Sequence, residues 1–253
     1  MGPWTGVVLP LTEPGADALN SSLPAHLHPV AGRPLVWHTA HSLASLTPAP
    51  ERIVVVMAAE TSADLFSGIP VPVEVSLPHE TARIEGWTLQ VHSAAPCAGD
   101  ALQRLLDSGE PARLVDGEGR PVARLDGGVY GDPPSRTDPD ASFVDSRADL
   151  ARAIAAIRDR IVLRLMEAGV TFLVPGTVLV DVDVTIGRDT IVYPGVVLEG
   201  QTTVGAETVI GPYCRIISSW IGSGIEMKGF NYVSHTSIRN RAILEPHVRR
   251  GFD

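Results

Sequence analysis

Large aliphatic residues recur at every sixth position over the C-terminal third of the chain. The series is Val180, Ile186, Val192, Leu198, Val204, Ile210 and Ile216. Small or β-branched residues stand two positions before each of them, at Val178, Val184, Thr190, Val196, Thr202, Thr208 and Cys214. After Ile216 the spacing drops by one residue to Ile221, drops again before Ile238, and the pattern ends at Leu244. Neither an α-helix nor an alternating strand has a period of six.

A period of six predicts a left-handed parallel β-helix, in which three short strands form one triangular coil. Each hexapeptide sends one aliphatic side chain inward, and the coils stack to make the core. At roughly 18 residues a coil, the region 173–253 holds about four coils. Gly187, Gly205, Gly211 and Gly222 each follow an inward aliphatic residue, so we expect them to form corners with positive φ. Solenoids of this kind are generally trimers, and we expect a homotrimer; the alternative is a chance run of valines in a β-sandwich.

The N-terminal region has the pattern of a doubly wound α/β domain. An apolar strand at 5–11, a helix that begins at Gly32-Arg33-Pro34 and runs to Leu46, and a β-branched strand at 52–57 make a βαβ unit. The remaining predicted elements are a helix at 60–66, a strand at 71–77, a helix at 97–106, a hairpin over 113–125, a loop at 132–139 and a helix at 146–168. We expect a shortened sheet domain at 1–144, joined by a linker helix at 145–172 to the solenoid.

Charge and composition exclude several classes of protein. A net charge of −9 and a pI near 5.3 argue against a nucleic-acid surface, which needs clustered positive charge. Cys97 and Cys214 lie in different regions without a motif partner, so a disulfide framework is not expected. Because no apolar run approaches about 18 residues, we expect a cytoplasmic protein that does not enter a membrane.

Several segments together resemble the bifunctional GlmU family. They are 23–35 (LPAHLHPVAGRPL), 144–150 (VDSRADL), 165–172 (LMEAGVTF) and 181–187 (DVDVTIG). In that family a UDP-N-acetylglucosamine pyrophosphorylase domain precedes a glucosamine-1-phosphate acetyltransferase solenoid. The resemblance implies that 1–144 is a nucleotidyltransferase-like domain and that the ligand is a sugar nucleotide of cell-envelope precursor metabolism.

The nucleotide-binding positions that the resemblance implies are Leu9, Gly15 and Ala25, and they depart from the family's pattern. The segment 10–19 keeps a single glycine, lacks the family's arginine, and carries two carboxylates that repel phosphate, Glu13 and Asp17. Ala25 stands where the family has a lysine. Phosphoryl transfer depends on cationic stabilisation, so we expect a catalytically degenerate site. We also expect the coils with the acetyltransferase histidine to be missing, since the sequence ends soon after the segment 246–251.

Four residues remain as candidates for chemistry. Arg33 could supply charge to a phosphate. Asp132 in Gly-Asp-Pro resembles the family's metal-binding Gly-Asp pair and could hold Mg²⁺, but the segment 126–130 could equally be the remnant of a sugar-contacting strand, and an ordinary loop aspartate is the simpler interpretation. His235 and His247 could act as general bases at a trimer seam, although solvated corner residues are the simpler interpretation. A metal site at His26, His28, His38 and His41 lacks acidic or cysteine ligands, and Arg249 with Arg250 could bind an anion.

Three functions are therefore open. The first is a trimeric scaffold or regulatory protein with sugar-nucleotide affinity, able to form mixed assemblies with a full-length relative. The second is an active pyrophosphorylase that uses UTP, N-acetylglucosamine-1-phosphate and Mg²⁺. The third is a hexapeptide-repeat acyltransferase that acts through His235 or His247.

Overall fold

The computed structural model describes residues 2–9, 19–57, 62–78, 84, 86–96, 98–128 and 132–251. Most of the loop after the first strand, including Gly15, lies outside these residues, as does Cys97. The chain divides into two compact units. The first comprises 1–29 and 34–153, and the second comprises 30–33 and 154–253.

The first unit is built on a seven-stranded sheet, and the last helix before the solenoid runs from this unit into the second. The strands of the first 144 residues are β1 (Trp4–Leu9), β2 (Pro29–Val30), β3 (Arg33–Pro34), β4 (Arg52–Val56), β5 (Val73–Ser76), β6 (Trp87–His92), β7 (Ala112–Val115), β8 (Pro121–Asp126) and β9 (Ser135–Thr137). The α-helices are α1 (Leu35–Ala44), α2 (Gly99–Ser108) and α3 (Arg147–Glu167). Short 3₁₀ turns span Ala25–Leu27, Ala63–Phe66 and Pro175–Thr177.

The sheet order is β5-β4-β1-β6-β8-β7-β9, and β2 pairs with β3 in a separate ribbon. Strands β5, β4, β1 and β6 are parallel, and β8 joins β6 in the antiparallel direction. The predicted βαβ unit and the hairpin, now β7 and β8, are therefore confirmed. β1 and β4 are continuous apolar runs because both faces of a parallel sheet are covered.

Several parts of the N-terminal region differ from the sequence prediction. Arg33 and Pro34, predicted to begin the first helix, form the strand β3, and the helix begins at Leu35. β6 was not predicted, although it lies beside β1 at the centre of the sheet. β9 lies in the segment 132–139, predicted as a loop, and pairs in parallel with β7. The predicted helix at 60–66 is a 3₁₀ turn over Ala63–Phe66, and residues 60 and 61 lie outside the described part of the chain.

The second unit is a left-handed parallel β-helix with three sheets, as predicted. The first sheet contains β10 (Thr171–Phe172), β13 (Ile191–Val192), β16 (Val209–Ile210), β19 (Glu226–Met227) and β22 (Ile243–Leu244). The second contains β11 (Leu179–Val180), β14 (Val197–Glu199), β17 (Arg215–Ile217), β20 (Tyr232–Ser234) and β23 (Arg249–Gly251). The third contains β12 (Thr185–Ile186), β15 (Thr203–Val204), β18 (Trp220–Ile221) and β21 (Ser237–Ile238).

The hexapeptide pattern correctly predicts the core of the solenoid. Every inward aliphatic position from Val180 to Leu244 is buried, and so are the seven residues from Val178 to Cys214 that stand two positions before the first seven of them. Burial of the threonines among them is compatible with their polarity because their hydroxyls donate to backbone carbonyls; Thr190, for example, donates to Gly205 O at 3.0 Å.

The prediction of positive φ at Gly187, Gly205, Gly211 and Gly222 is wrong. Left-handed backbone occurs two residues later in each case, at Asp189, Glu207, Tyr213 and Gly224. The four glycines are instead required by the next coil: a Cβ at Gly187 would lie 2.5 Å from Ala206 N, and one at Gly205 would lie 2.6 Å from Ser223 N. Glycine is selected here by close backbone approach.

Among the described residues, no helix is both long and apolar enough to cross a membrane. Cys214 is a buried free thiol, and burial raises its pKa.

Candidate functional site

The strand order of the first unit reverses between β1 and β6. From β1 the chain moves outward to β4 and β5 on one side, and it returns to β6 on the other side. In open α/β sheets the carboxyl ends of the strands at such a reversal form the ligand-binding crevice. Leu9 and His92 are the final residues of the two strands and lie directly opposite each other in register. We call this place the switch-point crevice.

His92 is the most unusual residue in the switch-point crevice. His92 is only 2% exposed. Its Nδ1 accepts a hydrogen bond from Ala94 N–H at 3.1 Å. Because Nδ1 is an acceptor, the neutral ring carries its proton on Nε2. That Nε2 is buried and has no hydrogen-bond partner in the described part of the chain. A buried donor without a partner costs about 1–3 kcal/mol, which makes this atom the natural contact for a ligand acceptor.

The surroundings of His92 keep its imidazole neutral. Burial, together with the nearby His26, lowers the pKa of His92 to about 4. Burial also lowers the pKa of His26, which lies in the 3₁₀ turn after Pro24. The Phe143 ring packs against His92 with ring centres 4.5 Å apart. The crevice therefore offers an uncharged donor at neutral pH.

Two arginines of the first unit, Arg120 and Arg147, bind other groups of the protein. Arg120 stacks over the Phe143 ring, 4.7 Å from its centre, but its Nε donates to Asp116 at 2.7 Å. Arg147, at the start of α3, donates to the Leu19 carbonyl at 2.8 Å. Both guanidinium groups already donate hydrogen bonds to protein oxygens and are not positioned to bind a phosphate.

Of the predicted nucleotide-binding positions, Leu9 ends β1 at the switch-point crevice and Ala25 is buried in the same turn as His26. Gly15 lies outside the described residues. Electrostatic coupling between His26 and His92 indicates that this turn and the end of β6 are close.

Arg33 groups with the solenoid unit and forms an ion pair there. Its Nη2 and Nε both contact Asp183 Oδ2, at 2.8 and 3.0 Å. The adjoining Ala31 carbonyl accepts a hydrogen bond from Val182 N–H at 3.1 Å. This placement gives Arg33 a role in anchoring the segment 30–33 to the first coil.

Asp132 lies beside two arginine side chains. It pairs closely with Arg113, and Arg124 lies 3.9 Å from the same oxygen. No group of three or more His, Cys, Asp or Glu side chains able to hold a metal occurs within the described residues. The donor set at Asp132 does not fit Mg²⁺, which prefers carboxylate, phosphate and water oxygens. The four N-terminal histidines are likewise dispersed: His38 and His41 pack on Trp37, and His28 contacts the Leu23 carbonyl.

His235 and His247 lie at two different corners of the solenoid. His235 stands between the second and third sheets, and its Nδ1 is 2.8 Å from Ser234 Oγ. His247 stands between the first and second sheets, where its ring stacks on Phe230, which in turn stacks on Tyr213. We call Tyr213, Phe230 and His247 the aromatic ladder. The structure does not bring the two histidines together on one corner.

Sequence reasoning missed His92 because it missed β6. The signal was present: Trp87, Leu89 and Val91 alternate with Thr88, Gln90 and His92, the period-two pattern of a strand. What the pattern does not reveal is the parallel pairing with β1, which places the last residue of the strand at the switch-point crevice.

Comparison with known proteins supports the solenoid assignment. Residues 183–218 match the family described as bacterial transferase hexapeptide (six repeats). Over 108 residues the chain is 41% identical to the bifunctional protein GlmU of Thermoanaerobacter pseudethanolicus, which covers 42% of this chain and 23% of that protein. A GlmU from Clostridium botulinum is also 41% identical over 108 residues, or 43% of this chain and 21% of the relative. The chain thus spans under a quarter of the length of these relatives, and the similarity is narrower than the resemblance described from the sequence.

Solved structures similar to the chain include Rv0371c from Mycobacterium tuberculosis, with a TM-score of 0.42 and 14% identity over 60% of this chain and 97% of that one. Another is a putative glucose-1-phosphate thymidylyltransferase from Bacillus anthracis, with a TM-score of 0.41 and 12% identity over 62% of this chain and 96% of that one. The sequence similarity of the chain to GlmU proteins lies in the hexapeptide-repeat region.

Proposed function

We propose that this chain is a catalytically inactive GlmU-like protein that binds a sugar nucleotide at the switch-point crevice and acts as a trimeric scaffold or regulatory protein. The observation that carries the proposal is the buried, unpartnered Nε2 of His92 at the end of β6. The unpaired donor is destabilising without a ligand, and a carbonyl oxygen of a nucleobase would satisfy it.

The absence of catalysis is proposed from the charge of the same crevice. Transfer of a phosphoryl or nucleotidyl group needs cations around the transferring phosphate. The described groups at this place are two imidazoles whose pKa values are lowered, while Arg33, Arg113 and Arg120 are paired with carboxylates. Glu13 and Asp17 in the preceding segment of the sequence would add repulsion.

We propose that the homotrimer forms through the aromatic ladder. Tyr213 and Phe230 are 62% and 52% exposed in the single chain, and their rings stack into one apolar strip at a solenoid corner. Contiguous exposed apolar surface of this kind is a feature of protein association sites. A mixed trimer with a full-length GlmU would use the same corner and would give the chain a regulatory partner.

Calorimetry with UDP-N-acetylglucosamine and with UTP, each with and without Mg²⁺, tests the ligand. We expect binding of UDP-N-acetylglucosamine that weakens roughly tenfold in His92→Phe, which keeps the ring against Phe143 and removes the donor. His41→Phe is the matched control, because His41 is an exposed imidazole of the same unit.

A pyrophosphate-release assay with UTP and N-acetylglucosamine-1-phosphate tests inactivity. We expect no release above the protein-free rate. Sustained Mg²⁺-dependent release would overturn the proposal in favour of an active pyrophosphorylase, and absence of binding at millimolar ligand would remove the sugar nucleotide from it. Co-purification with a tagged full-length GlmU tests the mixed trimer.

A further inference from the structure

The two shortened repeats of the sequence create a groove on the solenoid. Passing from the second sheet to the third takes six residues in the second coil, from Leu198 to Val204, but only five from Ile216 to Ile221 and from Val233 to Ile238. The strand register records this: Thr203 lies 18 residues after its partner Thr185, whereas Trp220 lies 17 after Thr203. A groove of about 380 Å³ follows this corner. We call it the short-corner groove.

The aromatic wall of the short-corner groove is Trp220. In the register of the third sheet its neighbours are Thr203 and Ser237, whose side chains are small. The indole therefore stands out between two short polar residues and is 47% exposed. The other exposed aromatic rings of the solenoid include Tyr213 and Phe230, which are stacked on each other at a different corner.

The rest of the groove lining carries hydrogen-bonding groups. His235 has left-handed backbone with φ of 47°, and its Nδ1 contacts Ser234 Oγ at 2.8 Å, which fixes the ring and leaves Nε2 for a ligand. Gln201 contributes an amide from the longer corner below. The hydroxyl-bearing residues Ser218 and Ser237 also line the groove.

The lining contains no lysine, arginine, aspartate or glutamate. A phosphorylated or carboxylated ligand would find no counter-charge there, and a purely apolar ligand would leave the hydroxyls and the amide unpaired. An uncharged sugar meets both demands. One face of a pyranose ring presents C–H groups that pack on an indole, and its hydroxyl groups donate to and accept from Ser, Gln and His side chains.

We propose that the short-corner groove binds an uncharged saccharide, with one sugar ring packed on Trp220 and its hydroxyls bonded to Ser218, His235 and Ser237. This site is separate from the switch-point crevice and does not depend on nucleotide binding. It would give the scaffold a means of recognising a glycan chain.

The test is calorimetry of the full chain with chitotriose and with maltotriose, two uncharged trisaccharides that differ in their N-acetyl groups. We expect at least one to bind, with affinity reduced roughly tenfold or more in Trp220→Ala and largely retained in Trp220→Phe. Tyr193→Ala, which removes an exposed ring outside the groove lining, is the matched control and should bind as the wild type does. Circular dichroism establishes that each variant is folded, and Ser237→Val replaces Trp220→Ala if the latter is not.

If neither trisaccharide binds at a concentration of about 10 mM, the proposal is overturned. Equal affinity in Trp220→Ala would also overturn it. Loss of the oligomer in Trp220→Ala, without saccharide binding in the wild type, would identify the groove as a subunit contact and reject the proposal. UDP-N-acetylglucosamine is titrated in the same variants, so that failure at the switch-point crevice is seen separately.

Discussion

Gly187 lies so close to Ala206 in the next coil that a Cβ added at Gly187 would stand 2.5 Å from Ala206 N. Real Cβ contacts do not occur at this distance, and the obstructing atoms belong to the backbone, which cannot rotate away. The stacking distance of the coils therefore depends on the absence of a side chain at this position.

We predict that Gly187→Ala destabilises the solenoid by about 1–3 kcal/mol, the usual range for overpacking in a close-packed interior. The measurement is urea unfolding followed by circular dichroism. Gly176→Ala is the control, because a Cβ there meets nothing within 4 Å and its φ is not positive. Equal stability of the two variants would show that the coils can separate without loss.

The hexapeptide pattern made the solenoid predictable because one periodic rule determines both burial and stacking. The corners could not be predicted in the same way, since φ at Asp189, Glu207 and Tyr213 is set by chain closure and not by residue preference. For these residues left-handed backbone costs energy that the stacked coils offset.

The candidate site was harder to predict than the fold. Leu9 and Ala25 are predicted from the family resemblance alone. The position of His92 depends on which strand lies beside β1, which is a non-local property of the sheet. Arg33 illustrates the same limit. Its partner Asp183 is 150 residues away in sequence, and nothing local distinguishes an anchoring arginine from a phosphate-binding one.

The low pKa of His92 predicts a specific pH dependence of stability. In the unfolded chain this imidazole titrates near 6.5, whereas in the folded protein its pKa is about 4. Between these values the unfolded state binds more protons, so the free energy of unfolding falls as the pH drops from about 6.5 to about 4. The contribution of His92 is at most roughly 3 kcal/mol, and His26 acts in the same direction.

The measurement is urea unfolding at a series of pH values for the wild type, His92→Asn and His41→Asn. Asn at position 92 can still accept from Ala94 N–H but does not titrate. We expect the slope between pH 4 and pH 6.5 to be shallower for His92→Asn than for the wild type, and His41→Asn is the control at an exposed position. If the free energy of unfolding depends on pH in the same way for all three proteins, burial does not lower the pKa of His92.

The Arg33–Asp183 ion pair predicts a structural role that can be separated from nucleotide binding. Both side chains are partly exposed, at 19% and 35%, so we expect Arg33→Gln to lower stability by about 0.5–1 kcal/mol. A double-mutant cycle with Asp183→Asn measures the coupling. Binding of UDP-N-acetylglucosamine by Arg33→Gln should equal that of the wild type, and its abolition without loss of stability would assign Arg33 to the nucleotide site.

The aromatic ladder predicts the position of the trimer seam. Phe230 stacks on Tyr213 at 5.4 Å and on His247 at 5.2 Å between ring centres, so a change at Phe230 breaks the strip at its middle. Burial of such rings contributes about 25 cal/mol per Å² of apolar area, and three copies of the strip would meet in one trimer.

We expect Phe230→Ser to shift the protein from trimer to monomer at micromolar concentration, measured by light scattering. Trp220→Ala removes a side chain of similar exposure from another corner and should remain trimeric. A monomeric wild type would show that there is no trimer seam. A Phe230→Ser protein that stays trimeric while Trp220→Ala dissociates would place the seam at another corner.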